Sequence, residues 1–269
     1  MRLQIKRLIT QIAFLFSANL GAFNVKTGFC YPFFYCHGCP AASAGCPLGI
    51  IEHGLYKGKT AFILLFYPLL FLGAICLVFG RAICGWTCPI GLLQRVTYPI
   101  SQKKTIKKIS HRITPSILPY IRYIKYVNLV LFVFLTTYFI GFMFTDICPI
   151  GFLTGTIPIS ILNFGQFTPN QFFPVTLVVF ILFVFLIISS SRGWCKYFCP
   201  LGALLAPFNK ISLLQVYVDK EKCIHCNVCS KICPMDIDVP NMERSAECIM
   251  CGKCIDVCPQ KIIKYRVGS

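Results

Sequence analysis

The strongest constraint on this chain is a doubled cysteine run near its C-terminus. One copy reads Cys223-Ile-His-Cys226-Asn-Val-Cys229-Ser-Lys-Ile-Cys233-Pro234, and the other Cys248-Ile-Met-Cys251-Gly-Lys-Cys254-Ile-Asp-Val-Cys258-Pro259. Both follow C-x2-C-x2-C-x3-C-P. Three thiolates on so tight a loop grip three corners of one iron–sulfur cube, and the fourth opens a short helix that leads to a second cube. A zinc site or a set of disulfides does not call for two complete runs that each end in Cys-Pro. The chain holds 18 cysteines, and their grouping is unlike the disulfide framework of a small secreted domain. Short Cys-x2-Cys and Cys-x3-Cys-Pro groups suit metal or iron–sulfur ligation in a reducing setting.

These runs closely resemble bacterial-type ferredoxins. The crossing pattern of those proteins implies that Cys223, Cys226, Cys229 and Cys258 hold one [4Fe–4S] cluster. It gives Cys233, Cys248, Cys251 and Cys254 to the other. Residues 213–269 are thus expected to form a small α+β two-cluster domain, too small for a substrate pocket of its own. Its work is to relay electrons.

The preceding part, residues 1–212, is of another kind. The chain is 56% hydrophobic with only 13% charged residues, about half the charge of an ordinary soluble domain; its mean hydropathy is +0.70. Of 26 Lys/Arg and 9 Asp/Glu, the segment from Asp219 onward takes 8 and 7, leaving 18 and 2 for the apolar part. Basic residues beside apolar spans read as cytoplasmic loops, which argues against nucleic acid as a partner. Four apolar stretches approach the length needed to cross about 30 Å of hydrocarbon: Leu8–Phe23, Ala61–Phe79, Val127–Thr145 and Pro174–Ser190. The first is interrupted by Gln11 and Asn19. With Arg2, Lys6 and Arg7 before it and small residues near its end, it has signal-peptide features, and it is expected to persist as a helix. The loop Gln102–Tyr126 carries Lys103, Lys104, Lys107, Lys108, Arg112, Arg122 and Lys125 and no acid. It reads as a cytoplasmic topology signal touching anionic lipid, with an acidic docking partner as the alternative. An even number of crossings puts both termini in the cytoplasm, in a multi-pass protein of the cell membrane.

The apolar part repeats itself. Cys46-Pro-Leu-Gly and Cys148-Pro-Ile-Gly stand 102 residues apart. Arg81-Ala-Ile-Cys84-Gly-Trp-Thr-Cys88-Pro-Ile-Gly and Arg192-Gly-Trp-Cys195-Lys-Tyr-Phe-Cys199-Pro-Leu-Gly stand 111 apart. The expected fold is therefore an α-helical membrane protein of four transmembrane helices in two parallel repeats (about 1–100 and 127–212), related by an axis along the membrane normal. That symmetry brings Cys84, Cys88, Cys195 and Cys199 together at the inner face. At the outer face it pairs Cys46 with Cys148, near Cys36 and Cys39, with Cys30 left over; Cys76 is a small core residue. Each Cys-Pro is expected to start a helix, since proline suits the first helical position. The thiol then sits at the N-cap, where the helix dipole favours thiolate. Two readings of these membrane cysteines stay open: one or two further iron–sulfur clusters, or redox-active dithiols and a transient metal site.

Four spans, paired Cys-x3-Cys-Pro turns and a two-cluster tail resemble the NapH/NosR-type quinol dehydrogenase membrane component. The resemblance implies an electron-transfer subunit of an oxidoreductase complex, with a quinol, a flavoprotein or a cytochrome as redox partner. The segment Cys36-x2-Cys39-Pro…Cys46-Pro-Leu-Gly departs from the plain NapH pattern. Glu52, His53, Gln94 and Tyr98 have side chains able to hydrogen-bond a quinone, and each is more simply an interfacial residue. No nucleotide-binding glycine fingerprint or catalytic triad is present, and no span holds a histidine for haem. Two other functions fit the motifs: a thiol or metal reductase working through the Cys-x3-Cys-Pro pairs, and a ferredoxin tethered by inert helices.

Overall fold

Each of the four Cys-Pro-x-Gly sequences starts a helix, with the cysteine as N-cap and the proline at the first helical position. Cys46, Cys88, Cys148 and Cys199 all take extended backbone there, at φ −72°, −68°, −67° and −65°. A computed structural model describes residues 2–36, 38–56, 61–97, 121–162 and 171–268. Tyr98 and most of the basic loop, including Lys103, Lys104, Lys107, Lys108 and Arg112, lie outside the described residues.

The first repeat runs α1 (Arg2–Ala18), α2 (Pro47–Leu55), α3 (Phe62–Phe79), α4 (Ala82–Trp86) and α5 (Pro89–Val96). The second runs α6 (Ile124–Phe139), α7 (Pro149–Leu162), α8 (Phe173–Ser189), α9 (Gly193–Tyr197) and α10 (Pro200–Leu205). A short α11 (Phe208–Ile211) leads on to the tail. Corresponding helices make corresponding contacts: α1 with α5 as α6 with α10, and α2 with α3 as α7 with α8. The match is incomplete. Helices α6 and α7 contain π turns, Leu129–Leu135 and Phe152–Thr156, and α7 runs several residues beyond its counterpart α2.

Leu72 and Cys76 of α3, Val133 of α6 and Phe183 and Ile187 of α8 meet in the core between the repeats. The outward faces are equally apolar. Phe62, Ile63 and Leu70 on α3, Phe139 on α6, and Val178 and Ile181 on α8 are exposed. A continuous apolar exterior of this kind marks an interaction with lipid or protein. Among the described residues α3 is the one helix long and apolar enough to cross a membrane; α6, α7 and α8 are apolar but shorter. The polar residues that interrupt the first stretch point inward. Gln11 Nε2 donates to Gly85 O (3.0 Å), and Asn19 Oδ1 accepts from Tyr35 Oη (2.7 Å).

The tail is a two-stranded antiparallel sheet with two short helices. Strand β1 (Leu214–Val218) pairs with β2 (Ile263–Val267) in the register Val216↔Tyr265 and Val218↔Ile263. Helices α12 (Val228–Lys231) and α13 (Lys253–Val257) each carry the third cysteine of a run. Alternation along β1 turns Val216 and Val218 inward, where they pack with Ile263 and Met250.

This domain is fixed to the helices by buried polar contacts. Arg81 Nη1 donates to Ala246 O (2.8 Å) and Glu247 Oε2 (3.0 Å), and Lys125 pairs with the same carboxylate. Trp86 Nε1 donates to Met250 O (2.8 Å), Asn209 Nδ2 to Cys248 O (3.0 Å), and Gln4 Nε2 to Cys251 O (3.1 Å). Lys196 pairs with Asp236, whose carbonyl also accepts from Arg122 Nη2 (3.0 Å). Two basic residues of the long loop, Arg122 and Lys125, thus serve contact within the chain. Removing one partner of a buried ion pair leaves the other charge unpaired, at a cost of about 3–5 kcal/mol. Glu247→Ala, which strands both Arg81 and Lys125, should therefore destabilise the chain by about 3 kcal/mol. A lowered unfolding midpoint in detergent, with faster amide exchange over residues 245–252, checks this.

Candidate iron–sulfur centres

The two C-terminal runs fold alike. In the first, His225, Asn227 and Asp236 take positive φ (51°, 56° and 50°); in the second, Met250, Gly252 and Lys261 do (47°, 70° and 53°). The paired positions are 25 residues apart in sequence. Left-handed residues alternating with right-handed ones turn successive amide N–H groups to one side, making an anion-binding concavity of the kind used at iron–sulfur sites. Met250 N, for example, donates to Cys248 Sγ (3.4 Å).

Each concavity is lined by four cysteines. Cys233, Cys248, Cys251 and Cys254 surround a cavity of about 370 Å³, backed by Val216 and Ile249. Cys223, Cys226, Cys229 and Cys258 surround one of about 330 Å³, backed by Val218 and Ile263. The first cavity lies against the helices. Ile249 and Cys251 share an apolar cluster with Cys84 of α4. The second lies away from them, and its Cys226 is exposed. All 18 cysteines are free of disulfides.

A further four-cysteine set sits at the near end of the helix bundle. Cys84, Cys88, Cys195 and Cys199 come from α4, the α5 N-cap, α9 and the α10 N-cap. Their sulfurs are close enough to act on one another's ionisation. Burial holds the Cys84, Cys88 and Cys199 thiols above their usual range, that of Cys88 at about 12, so these three ionise only against a compensating positive charge or a metal. Gly202 N donates to Cys199 Sγ (3.3 Å), and Gln94 Nε2 donates to Cys195 Sγ (3.1 Å). Gln94, a quinone candidate in the sequence, is thus committed to this set.

Motif spacing alone assigns no role to the arginines that flank it. Arg81 and Arg192 occupy equivalent places in the 111-residue repeat, and each reaches across to the other half. A Cβ on Gly91 would lie 2.4 Å from Arg192 Nη1 and 2.9 Å from Cys84 O; one on Gly202 would lie 3.2 Å from Arg81 Nη2. At Gly91 and Gly202 the glycine of the Cys-Pro-x-Gly turn is therefore the space into which the opposite arginine fits. Arg81 is fully buried and Arg192 nearly so. Arg81 Nε and Nη2 and Arg192 Nη2 have no hydrogen-bond partner, and the Cys84 thiol lies beside Arg81. Arg7 and Lys125 are buried close by, acting on Arg192 and Arg81 respectively. Among the described residues the one acid that pairs with any of these four cations is the half-buried Glu247, which meets Arg81 and Lys125 and is held below the usual carboxylate range because those two outweigh its burial. Uncompensated buried charge is costly, so the site fits an anionic group. Four thiolates around an iron–sulfur core supply such a group.

At the far end, Cys36, Cys46 and Cys148 line one cavity. Cys46 and Cys148 are the symmetric N-caps of α2 and α7. They are brought together by Glu52 on α2, whose carboxylate accepts from Phe144 N (3.0 Å), Thr145 N (3.2 Å) and Thr145 Oγ1 (2.6 Å) just ahead of Cys148. Burial pushes Glu52 up to about 7 despite those donors. It is a brace in this structure, while His53 lines the same cavity. Cys39 does not line it: its sulfur lies 4.0 Å from Tyr35 Oη, in the core. Cys30 is buried and pairs through its backbone with Gly45.

The fold and these centres define a ferredoxin-type electron-transfer protein, with [4Fe–4S] binding in its C-terminal region. Two family models agree with this. One described as "4Fe-4S dicluster domain" matches residues 215–259, and one described as "4Fe-4S binding domain" matches twice, at residues 60–108 and 172–215. The second spans both Cys84/Cys88 and Cys195/Cys199. An uncharacterized protein of Methanocaldococcus jannaschii is 30% identical over 88% of this chain and 85% of its own length. The ferredoxin-type protein MauN of Methylorubrum extorquens is 28% identical over 69% of this chain and 55% of its own. The ferredoxin-type protein NapH of Escherichia coli is 26% identical over 57% and 47%. The chain thus spans about half the length of these two named relatives. No solved structure matches it. The chain belongs to the family of ferredoxin-type electron-transport proteins that includes NapH and MauN.

Gly85 tests the junction between the two parts. Its carbonyl accepts from Arg7 Nε (2.7 Å) and Gln11 Nε2, and a Cβ there would lie 2.2 Å from Ile249 O. That backbone oxygen cannot swing aside. Gly85→Ala should cost about 1–3 kcal/mol, as overpacking does, and prise the ferredoxin domain from α4. The check is increased protease cleavage near residue 213, with ferredoxin iron retained.

Proposed function

We propose that this protein is a membrane-embedded electron relay, in which the near-end thiols join a donor in or beside the bilayer to the ferredoxin clusters. The observation that carries the reading is the contact between Cys84 and the Ile249–Cys251 segment. A ferredoxin merely tethered to inert helices has no use for a buried junction lined by cysteines on both sides. In this reading α1, α3, α6 and α8 cross the membrane in two parallel repeats, with both termini and the ferredoxin domain in the cytoplasm. Helix α8 is one residue shorter than α3, and slight thinning of the bilayer accommodates such a difference. The exposed apolar faces meet lipid.

Cys84, Cys88, Cys195 and Cys199 hold a near-end iron–sulfur cluster, and Cys36, Cys46 and Cys148 line a far-end centre. Bound at these places, clusters take up and release electrons one at a time. The protein supplies the order of the sites and their electrostatics. Buried thiols and aromatic packing keep water from the near-end set, and Arg81 and Arg192 favour the more negative charge state there. The exposed Cys223–Cys258 set is the exit or entry for a soluble redox partner. A quinol, a flavoprotein or a cytochrome fits as the other partner, within a larger oxidoreductase complex.

Iron and acid-labile sulfide counted on anaerobically purified protein test the reading. About sixteen irons per chain, four for each [4Fe–4S] cluster, are expected; about eight would leave only the ferredoxin pair. Replacing Cys84 and Cys195 together by Ala should remove about four irons while the ferredoxin signals persist. Survival of all non-ferredoxin iron would refute the shared site. Arg192→Gln should lower the midpoint potential of the near-end cluster by about 59 mV, the step for a tenfold change in a one-electron equilibrium. Redox titration followed by electron paramagnetic resonance measures it, with the ferredoxin signals as internal control.

A further inference from the structure

The first residues of the ferredoxin domain close the end of α3. The last carbonyls of a helix lack partners within it, and Leu77 O takes its bond from Leu213 N (2.8 Å). Just past that end, Asn209 Oδ1 accepts from Arg81 N (2.9 Å). The end of the sheet is tied to the same place, since Gly268 N donates to Leu213 O (3.0 Å). Leu213 and Val267 therefore stand beside the last turn of α3.

This end of the sheet is apolar and open. Ile211, Leu213 and Val267 are each at least half exposed, and Leu77, Val78 and Phe79 on the adjoining turn of α3 are exposed as well. Single apolar residues on a surface call for no explanation. Here the group carries the apolar exterior of α3 past the end of the helix and onto the domain. The charge around it is of one sign. Residues 208–215 and 263–268 hold Lys210, Lys264 and Arg266 and no acid. Arg244 joins them, its Nη1 donating to Lys210 O (3.0 Å) and its Nε to Gln215 Oε1 (3.0 Å). Its neighbour Glu243 is directed to Lys220 instead. Apolar side chains fringed by long basic ones suit the boundary between acyl chains and headgroups, where the stems lie in the apolar layer and the charges reach water. The basic fringe complements anionic phospholipid, and the continuity with α3 puts it at headgroup level.

We infer that the sheet end formed by Leu213 and Val267, with Ile211 ahead of it, rests on the membrane surface, and that Lys210, Arg244, Lys264 and Arg266 meet anionic phospholipid headgroups there. The inference rests on the membrane reading above and adds a peripheral contact to the spanning helices. Its consequence is orientation. Val218 and Ile263, at the opposite end of the sheet, back the Cys223–Cys258 set. At about 3.3 Å per residue the strand carries Val218 roughly 17 Å from Leu213. Headgroup contact at one end holds the exposed thiol set at the other end away from the bilayer, facing a soluble partner.

The experiment uses the full chain, purified anaerobically and placed in lipid nanodiscs of phosphatidylglycerol and phosphatidylcholine in equal amounts. Val267→p-benzoylphenylalanine is compared with the same replacement of Ile181, exposed on α8, and of Ile224, exposed beside Cys226. Illumination and mass analysis identify what each position cross-links. Lipid adducts are expected at 267 and 181 and not at 224. Phosphatidylglycerol should dominate at 267, and adding Arg266→Gln should lower its ratio to phosphatidylcholine about fivefold, the factor for one basic residue near an anionic surface. Unchanged ferredoxin signals confirm that each variant is folded. Adducts at 181 without adducts at 267, equal adducts at 224 and 267, cross-links from 267 to a second copy in place of lipid, or a ratio unmoved by Arg266→Gln would each overturn the surface contact and leave the spanning helices standing. No lipid adduct at 181 would instead overturn the membrane reading beneath.

Discussion

Buried positive charge at the near end of the bundle is the constraint that orders the rest. Arg7, Arg81, Lys125 and Arg192 are all withdrawn from water, and among the described residues Glu247 is the acid that meets two of them. Such an arrangement is stable only with further negative charge among the cations. The four surrounding cysteines are groups able to provide it as thiolates. The same charges hold the ferredoxin domain in place, because Glu247 belongs to it and Arg81 and Lys125 belong to the helices. Electrostatic balance, docking and the position of the four cysteines are therefore one problem with one solution. An apolar junction would hold the two parts together equally well, but it would not pin thiolates at their meeting point.

Much of this was legible from residue types and spacing. The doubled C-x2-C-x2-C-x3-C-P runs marked the eight cysteines that line the two tail cavities, because the loop and the following helix leave those thiols little freedom. The Cys-Pro-x-Gly turns announced helix starts through proline's fixed φ and missing N–H. The roles of Arg81 and Arg192 were less visible, although both stand in the repeat. An arginine after an apolar stretch reads first as an interfacial residue, and only the packing shows it threading over the glycine of the opposite turn. Gly91 and Gly202 likewise read as turn residues, yet their use is to leave room for a guanidinium. Cys39 stands, as its Cys-x2-Cys spacing suggests, within electrostatic reach of Cys36, and the fold adds a neighbour that spacing does not show, Tyr35 Oη at 4.0 Å.

Duplication acts at two scales. Within the tail, residues 25 apart in sequence share left-handed backbone at three positions, which gives two like cavities. Within the bundle, residues 111 apart share helices, caps and crossing arginines. In both cases two weak half-sites become one complete set only when the halves pair. The near-end thiols contact the tail through Cys84, and the tail presents its second set to solvent at Cys226. The order of the sets along the molecule thus follows from how the repeats face each other, with no long-range hinge required.

The two ends of the bundle differ for a reason rooted in the same symmetry. A twofold relation supplies ligands in pairs, and at the near end two pairs make four. At the far end the repeats contribute one pair, Cys46 and Cys148, and any further ligand must come from outside the repeat. The loop ahead of α2 gives Cys36, whose counterpart in the second repeat is missing. The near end is closed by its symmetry and by the ferredoxin domain over it; the far end lacks that cover, and one symmetric pair and one inserted loop shape it instead.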